Sequence, residues 1–243
     1  MVTGSSRGIG AATARLAAER GYAVCVNYHH NKDAAEAVVS QIENAGGRAV
    51  AVPADISQEA EVEQLFARVD AQFGTLDALV NNAGILEKQM RLEDMDAARL
   101  KRTFSTNIVG SFLCAREAVK RMSTHNGGAG GVIVNLSSAA VTSGAPGEYI
   151  DYAASKGAID ILTRGLAKEV AAAGVRVNAV RPGLIYTDIH ADGGEPDRVD
   201  RLKAGVPMGR GGTPKEIANA ILWLLSEEAT YVTGSCLDVT GGR

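Results

Sequence analysis

Two residues in the middle of the chain have the types and the spacing for proton transfer. Tyr152 and Lys156 lie in the segment from Glu148 to Lys168, whose content of Ala, Ile and Leu predicts a helix. Residues four apart on a helix lie one above the other, so the phenol and the ammonium are expected on one face. A cation beside a phenol favours the phenolate and lowers a pKa that is ordinarily ~10. The pair is a candidate acid–base couple, although the same spacing also occurs on solvated helix faces.

Tyr149 is the competing phenol in this segment. It lies seven residues before Lys156, which is about 10 Å along a helix axis at about 1.5 Å per residue. At that separation the ammonium has little influence on the Tyr149 hydroxyl. We therefore favour Tyr152 as the proton donor and acceptor.

A glycine-rich loop, Thr3 to Gly10, precedes a predicted helix that begins at Ala11. Small residues there let the backbone approach a pyrophosphate, and a helix N-terminus supplies free N–H groups and a partial positive charge. The spacing is Gly-xxx-Gly-x-Gly, not the Gly-x-Gly-x-x-Gly of the common dinucleotide fingerprint. A plain tight turn is the alternative. Only Met1-Val2 precede the loop, so the first strand is predicted to be short for a central strand.

Two more polar clusters follow runs that predict buried strands. Asn81-Asn82-Ala83-Gly84 follow Leu76–Val80, and Ser137-Ser138 follow Val132–Leu136. Ligands of open α/β sheets bind outside the carboxyl ends of the strands. We therefore expect these two clusters and the glycine loop to border one site.

Predicted strands alternate with predicted helices along the whole chain. The strands are expected at Tyr22–Asn27, Arg48–Pro53, Leu76–Val80, Val132–Leu136, Val175–Val180 and Cys236–Val239. The helices include residues 62–73, Ala97–Met122 and Glu216–Ser226, the last after Thr213-Pro214 as N-cap and first helical residue. This alternation predicts an α/β fold: a single-domain, Rossmann-type, doubly wound parallel sheet with helices on both faces, over residues 1–243.

The composition limits the classes of partner. The 243 residues are 46% apolar and 22% charged, as in soluble globular proteins, and their net charge of −3 argues against nucleic acid or an anionic membrane as a main partner. No apolar run is long enough to span a bilayer, and no signal peptide is predicted. Cys25, Cys114 and Cys236 form no CxxC motif and are predicted core residues of a cytoplasmic protein. The histidines do not pair with them at metal-ligand spacing, so no metal site is expected.

These motifs, in this order, resemble the short-chain dehydrogenase/reductase family in its compact single-domain form. The resemblance covers the Thr-Gly-xxx-Gly-x-Gly loop at 3–10, Asp55, Asn-Asn-Ala-Gly at 81–84, Asn107, Ser138, Tyr-xxx-Lys at 152–156 and Pro182-Gly183. It implies an oxidoreductase that transfers a hydride between a nicotinamide cofactor and a carbonyl or secondary alcohol. The subgroup that the chain resembles most is the 3-oxoacyl-carrier-protein reductase and sugar dehydrogenase-like set.

The resemblance also implies a role for each candidate catalytic residue. Tyr152 exchanges the proton, and Lys156 lowers the pKa of Tyr152 and binds the nicotinamide ribose. Ser138 orients the substrate oxygen, with Ser137 as the alternative. Asn107 interrupts an apolar helical stretch, and the resemblance implies that it holds a water in a proton relay. A local helix distortion around a bound water is the alternative reading of Asn107.

The cofactor is predicted to be NADP rather than NAD. NAD-binding members carry an acid at the end of the second strand, where it grips the ribose 2′-OH, but here that strand ends Asn27-Tyr28-His29 without one. Arg7 lies where a 2′-phosphate is expected. The predicted cofactor-binding residues are Gly4, Ser6, Arg7, Gly8, Ile9, Gly10, Asn27, Tyr28, His29, Asp55, Ile56, Asn81, Ala83, Gly84, Tyr152, Lys156, Pro182, Gly183, Ile185 and Thr187.

The substrate is left open between three hypotheses. A 3-oxoacyl thioester reductase is favoured, a sugar or polyol dehydrogenase of the same family is the alternative, and a catalytically silent NADP-binding sensor is the third. An epimerase or dehydratase of the extended branch is disfavoured because 243 residues leave no room for its larger C-terminal domain. By resemblance, Ile189 to Arg201 is the substrate lid. Four basic residues are either a receptor for an acidic carrier or, as we favour, a solvated helix face: Arg91, Arg99, Lys101 and Arg102.

A homotetramer is predicted, since single-domain members of the family are usually tetramers. Two helical segments, Asn107–Met122 and Tyr152–Ala172, have more apolar and small residues than one buried face needs. Closed symmetry would pair each helix with its own copy across a two-fold axis. The apolar segment Thr230–Arg243 is expected near a second interface.

Overall fold

In the computed structural model, which describes residues 1–243, parallel strands form a sheet with helices on both faces. The strands are β1 (Ala23–Tyr28), β2 (Arg48–Pro53), β3 (Ala78–Asn81), β4 (Gly131–Leu136), β5 (Val175–Pro182) and β6 (Cys236–Val239). β1 pairs with β2, and β3 to β6 pair in chain order. Val2 forms parallel bridges to Val26 of β1 and Val80 of β3, which joins the two groups. The predicted first strand is thus a single bridging residue.

The helices cover both faces of the sheet, as predicted. One face holds α1 (Gly8–Glu19), α2 (Lys32–Asn44) and α10 (Pro214–Leu225). The other holds α3 (Glu59–Phe73), α4 (Ala97–Phe104), α5 (Ser111–Met122) and α7 (Ile150–Val170). Three short helices lie near the carboxyl ends of the strands: α6 (Ala140–Ser143), α8 (Ile189–Asp192) and α9 (Arg198–Leu202). The predicted doubly wound α/β fold is confirmed.

Alternate residues of each strand face opposite cores. In β4, Ile133 packs in the core with α3 and α5, whereas Val134 packs in the core with α1 and α10. Both side chains are fully buried. Because both faces are covered, the strands are apolar runs without polar alternation, and this is the pattern that made them recognisable in the sequence.

The predicted helix from Ala97 to Met122 is in fact interrupted. α4 ends at Phe104, a π-helical segment follows at Ser105–Gly110, and α5 begins at Ser111. At Gly110 a Cβ would lie 2.7 Å from Ile56, so the chain needs a residue without a side chain to pass there. Sequence periodicity could not show the interruption, because the contacts that cause it come from other elements.

Most other element boundaries lie within one or two residues of those predicted. α10 begins as expected: Thr213 is its N-cap, Pro214 its first residue, and Thr213 and Glu216 form a capping box. Cys25 and Cys114 are buried, and burial raises the pKa of their thiols to about 11 and about 12, whereas Cys236 is only half-buried. None of the helices combines the length and the apolar character needed to cross a membrane.

Candidate active site

Two adjoining cavities open where the strands end. The first, which we call the Tyr152 cavity, has a volume of about 450 Å³ and is lined by Ser138, Tyr152, Lys156 and residues of the 189–198 region. The second, the glycine-loop cavity, has about 460 Å³ and is lined by the loop from Gly4 to Gly10 and by Asp55. Ile9, Asn82 and Gly84 border both. The two cavities therefore form one cleft.

Tyr152 lies in the first turn of α7 and is half-buried. Burial raises the pKa of its phenol, and a hydrogen bond with the Ser138 hydroxyl acts in the opposite direction. The expected net lowering of this pKa is not seen, because desolvation is the largest effect and favours the neutral form; the role of Lys156 beside the phenol stays a prediction. Tyr152 is therefore a protonated phenol at neutral pH.

Lys156 lies one turn further along α7 and is 4% exposed. Its ammonium is 5.6 Å from the centroid of the Tyr152 ring, so the two groups share one face as predicted. The Nζ donates a hydrogen bond of 2.7 Å to the Leu136 carbonyl. Burial lowers the Lys156 pKa to about 8, and the carboxylate of Asp160 opposes that shift.

The two serines at the end of β4 differ in their partners. The Ser137 hydroxyl is buried and donates to the Lys156 carbonyl at 3.2 Å. The Ser138 hydroxyl reaches Tyr152 and accepts a 3.1 Å bond from the Ala140 amide. Ser138 is thus the serine placed beside the phenol, while Ser137 holds the backbone of α7.

Tyr149 is occupied by contacts with the lid region. Its hydroxyl donates to the Gly193 carbonyl at 3.2 Å, and the Arg198 guanidinium lies 5.1 Å from its ring centroid. Arg198 also forms ion pairs with Glu148 and Glu195. These bonds hold residues 193–198 against the N-terminal end of α7. Tyr149 therefore anchors the predicted lid.

Asn107 lies in the π-helical segment and is fully buried. Its Oδ1 accepts from the Ile85 amide at 2.8 Å, and its Nδ2 donates to the Ile85 carbonyl at 3.0 Å and to Ser155 Oγ at 3.1 Å. A Cβ at Gly84 would lie 3.3 Å from Asn107 Oδ1 and 3.4 Å from Lys156 Nζ. Gly84 thus separates Asn107 from Lys156. The sequence-based alternative of a local helix distortion agrees with the π-helical geometry.

The glycine loop has the close backbone packing that a pyrophosphate site needs. A Cβ at Gly10 would lie 2.5 Å from Asn82 Nδ2 and 2.6 Å from the Gly4 carbonyl oxygen. Asn82 Nδ2 donates to the carbonyls of Thr3 and Gly4, at 2.8 and 2.9 Å. No side chain caps the N-terminus of α1, so its first N–H groups are free to bind an anion. The loop therefore fits a dinucleotide phosphate.

The outer rim of the glycine-loop cavity carries one exposed cation, Arg7, and two exposed histidines beside the carboxylate of Asp55. Arg7 lines it and forms an ion pair with Asp192 of α8 across the cleft. The His29 ring stacks on His30 with centroids 3.4 Å apart, and its Nε2 is 3.8 Å from Asp55 Oδ2. A 2′-phosphate placed here would compete with Asp192 for Arg7. No group of three or more His, Cys, Asp or Glu side chains is arranged to hold a metal ion.

Most of the predicted site residues line the cleft. Three do not: Tyr28, Asn81 and Asn107. Asn81 Nδ2 donates to Ser111 O and Asn135 Oδ1 inside the protein. The Asn27 side chain borders the cavity, but its amide is bonded to Gly4 and to the carbonyls of Tyr28, Val52 and Ala54. These buried residues support the loops and do not face a ligand.

Sequence reasoning missed three residues that shape the site: Thr3, Asn82 and Ser155. The Thr3 hydroxyl accepts from the amides of Asn82 and Ala83, both at 3.0 Å. The Ser155 hydroxyl accepts from Asn107 and donates to the Tyr152 carbonyl at 2.7 Å. Thr3 and Asn82 belong to the polar clusters already singled out, and Ser155 lies inside Tyr-xxx-Lys. Their position in these motifs was the available signal.

Of the four basic residues of the carrier hypothesis, three are exposed and one is buried. Arg91 pairs with Glu93 and Arg102 with Glu87. Arg99 is buried and pairs with Asp151, so its assignment to a solvated helix face is wrong. Arg99 is buried because the face of α4 that carries it packs against the start of α7.

Comparison with known proteins identifies the family. The sequence model of a family described as "Enoyl-(Acyl carrier protein) reductase" matches residues 4–243. "Uncharacterized oxidoreductase YgfF" of Escherichia coli (strain K12) is 59% identical over 100% of this chain and 98% of that protein. 3-oxoacyl-[acyl-carrier-protein] reductase FabG of Staphylococcus aureus is 38% identical over 100% of this chain and 96% of that protein.

Solved structures of dehydrogenases superpose closely on this chain. A short-chain dehydrogenase from Burkholderia cenocepacia J2315, in complex with NADP, superposes with a TM-score of 0.90 at 32% identity and covers 99% of this chain and 95% of that one. A dehydrogenase/reductase from Sinorhizobium meliloti 1021 gives a TM-score of 0.91 at 34% identity, with 99% and 92% covered. With a matching family model, close relatives and this cleft, the chain belongs to the short-chain dehydrogenase/reductase family, whose oxidoreductases use nicotinamide cofactors and act on small molecules.

Proposed function

We propose that the protein is an NADPH-dependent reductase of a carbonyl compound. The observation that carries this proposal is the arrangement of Ser138, Tyr152 and Lys156 in one cavity that adjoins the glycine loop. A protonated phenol beside a hydroxyl donor suits a carbonyl oxygen that gains negative charge as the carbon is reduced.

In the proposed reaction, Ser138 donates a hydrogen bond to the carbonyl oxygen and Tyr152 gives it the proton. The glycine loop from Gly4 to Gly10 would hold a nicotinamide dinucleotide, which when bound would supply the hydride that converts the carbonyl to an alcohol. Lys156 would bind the nicotinamide ribose and stabilise the tyrosinate left behind. Asn107 holds Ile85 and Ser155 in place and is proposed to support the return of a proton from solvent.

NADP is proposed over NAD because the rim that would meet the adenosine ribose carries Arg7, and the end of β1 carries no acid. β1 ends at Tyr28 and leads into His29 and His30, with Arg7 on the same cavity. No acid follows Asn27 at the strand end, where one would repel a 2′-phosphate. The Burkholderia relative in complex with NADP supports this choice.

A 3-oxoacyl thioester is the proposed substrate class, because relatives 38% identical over the whole chain are named 3-oxoacyl reductases. The sugar or polyol dehydrogenase remains the alternative, and the description of the family model adds enoyl thioesters to the candidates. A panel of acetoacetyl and crotonyl thioesters, diketones, quinones and aldoses, read by NADPH consumption, tests this. We expect the fastest turnover with the acetoacetyl thioester. Tight NADPH binding without turnover of any compound would instead support the silent sensor.

We also propose a cytoplasmic homotetramer. Val109 and Phe112 are each 47% exposed, and Ile161 is 66% exposed, although all three are large apolar side chains. They lie on the two segments predicted to form interfaces, and Tyr231 of the C-terminal segment is fully exposed. Light scattering at micromolar concentration should give four times the chain mass. A stable, active monomer would contradict the assembly without affecting the proposed reaction.

A further inference from the structure

A row of polar side chains runs along α4 into the π-helical segment and faces α7. Arg99, Thr103 and Asn107 are spaced four residues apart, and all three are at most 4% exposed. Their partners on α7, Asp151 and Ser155, are also four apart and buried. Each partner directly precedes a proposed catalytic residue, Tyr152 or Lys156.

The Arg99–Asp151 end of this row is a dry ion pair. Arg99 Nε donates to Asp151 Oδ2 at 2.8 Å and Nη2 to Oδ1 at 3.3 Å, with the two side chains 5% and 1% exposed. The Thr103 hydroxyl lies 3.5 Å from the same carboxylate. A forked guanidinium–carboxylate pair fixes the relative orientation of its two groups. Here it fixes the rotation of α7 at the residue before Tyr152.

Both ends of the row also bind the loop after β3. Arg99 Nη1 donates to the Lys88 carbonyl at 2.6 Å. Asn107 bonds both main-chain groups of Ile85, at 2.8 and 3.0 Å. The loop from Ile85 to Lys88, which includes the cavity residue Leu86, is therefore held to the same two helices as Tyr152.

Stability alone does not explain this ion pair. Desolvation of two buried charges offsets most of their attraction, and well-packed apolar replacements are often as stable. The Arg–carboxylate geometry does supply orientation, which matters where a phenol must meet a carbonyl oxygen and a serine hydroxyl. The location beside Tyr152 points to that role.

We propose that Arg99 and Asp151 are positioning residues that hold Tyr152 and the Ile85–Lys88 loop in the reactive arrangement. This inference rests on the proposed carbonyl reduction. Neither residue is proposed to contact the substrate or the cofactor. Their effect is transmitted through the backbone of α7 and through the loop.

The test compares Asp151→Asn, Arg99→Lys and the double variant Arg99→Met/Asp151→Leu with the wild type. For Asp151→Asn we expect kcat to fall about 10- to 100-fold, while KM and the NADPH dissociation constant change by less than about twofold. The solvent deuterium isotope effect on kcat should rise, because a misplaced phenol makes proton transfer slower relative to other steps. Arg99→Lys keeps the positive charge but loses the forked guanidinium geometry. Its kcat should therefore lie between that of Asp151→Asn and that of the wild type.

The control is Arg121→Met, which breaks another forked pair, with Asp70 at 2.8 and 2.9 Å, away from both cavities. It should lower the melting temperature and leave kcat and the isotope effect unchanged. The double variant leaves no unpaired buried charge, so it should fold even if Asp151→Asn does not, and it should remain slow. Wild-type kcat in the double variant, or in a folded Asp151→Asn, would overturn the positioning role. A wild type that reduces no carbonyl would instead defeat the proposed function.

Discussion

The two sides of the cleft are built in different ways. The glycine-loop side is centred on one run of consecutive residues, Gly4 to Gly10, whose backbone packs closely. The polar side chains at its rim are exposed, with Arg7 53% and His29 50% accessible. The Tyr152 side is assembled from distant elements through buried polar side chains such as Asn107, Arg99 and Lys156. Solvent-exposed charges interact weakly because water screens them. Polar groups buried away from water interact strongly, and removing one of them leaves its hydrogen-bond partner unsatisfied. Substitutions should therefore have large effects on the Tyr152 side and small ones at the exposed rim.

The largest effect is expected at Tyr152 itself. Tyr152→Phe removes the proposed proton donor and keeps the ring that fills the space, so cofactor binding should be nearly unchanged. We expect kcat to fall by about 10²-fold or more, the scale of general acid–base catalysis. Steady-state kinetics with the best substrate of the panel and NADPH titration by fluorescence give the two quantities.

Tyr149→Phe is the matched control for that variant. It removes the 3.2 Å hydrogen bond to Gly193 and leaves Ser138 and Tyr152 in place. Its kcat should fall far less than that of Tyr152→Phe. If the two variants lose kcat equally, or if Tyr152→Phe turns over like the wild type, Tyr152 is not the proton donor.

Lys156 should give the Tyr152 side an unusual dependence of stability on pH. Its pKa is about 8 in the folded protein and ~10.4 in an unfolded chain, so between these values the unfolded state binds more protons. The free energy of unfolding therefore rises with pH across this window, by on the order of 3 kcal/mol at most. Below the folded pKa both states bind the proton, and the contribution of Lys156 does not change with pH.

Denaturant unfolding of the wild type and Lys156→Met between pH 7 and pH 10.5 measures this contribution. Other titrating groups, including Cys25 and Tyr152, are present in both proteins and largely cancel in the difference. The wild type should gain stability relative to Lys156→Met as the pH rises. A difference that is flat, or that falls with pH, would show that Lys156 is not held in a desolvating site.

The smallest effect is expected at the exposed rim. Arg7→Ala should weaken NADPH binding by about tenfold, the scale of one charge-assisted contact. The affinity for NADH should be nearly unchanged. Asp192→Asn keeps Arg7 and removes the charge of its ion-pair partner, so it should not weaken NADPH binding. If Arg7→Ala loses affinity for NADPH and NADH equally, Arg7 does not bind the 2′-phosphate. A wild type with equal or better kcat/KM for NADH would contradict the choice of NADP.

The contrast between the two sides also explains how far the sequence could predict the molecule. The glycine loop and the Tyr-xxx-Lys pair were recognisable because each is local: a turn, a helix start, or two residues one helical turn apart. The strands were recognisable because both faces of the sheet are buried. The break at Ser105–Gly110 and the burial of Arg99 were not, since the contacts responsible come from Ile56, Ile85 and Asp151.

The direction of the Tyr152 pKa shows the same limit. Sequence spacing correctly placed Lys156 beside Tyr152, and a neighbouring cation by itself lowers a phenol pKa. The fold then buries the phenol, and desolvation raises its pKa instead. Local spacing determined which groups meet, because a helix has a fixed pitch. Only the tertiary structure decided how dry their surroundings are, because burial depends on α4, α7 and the loop after β3 packing together.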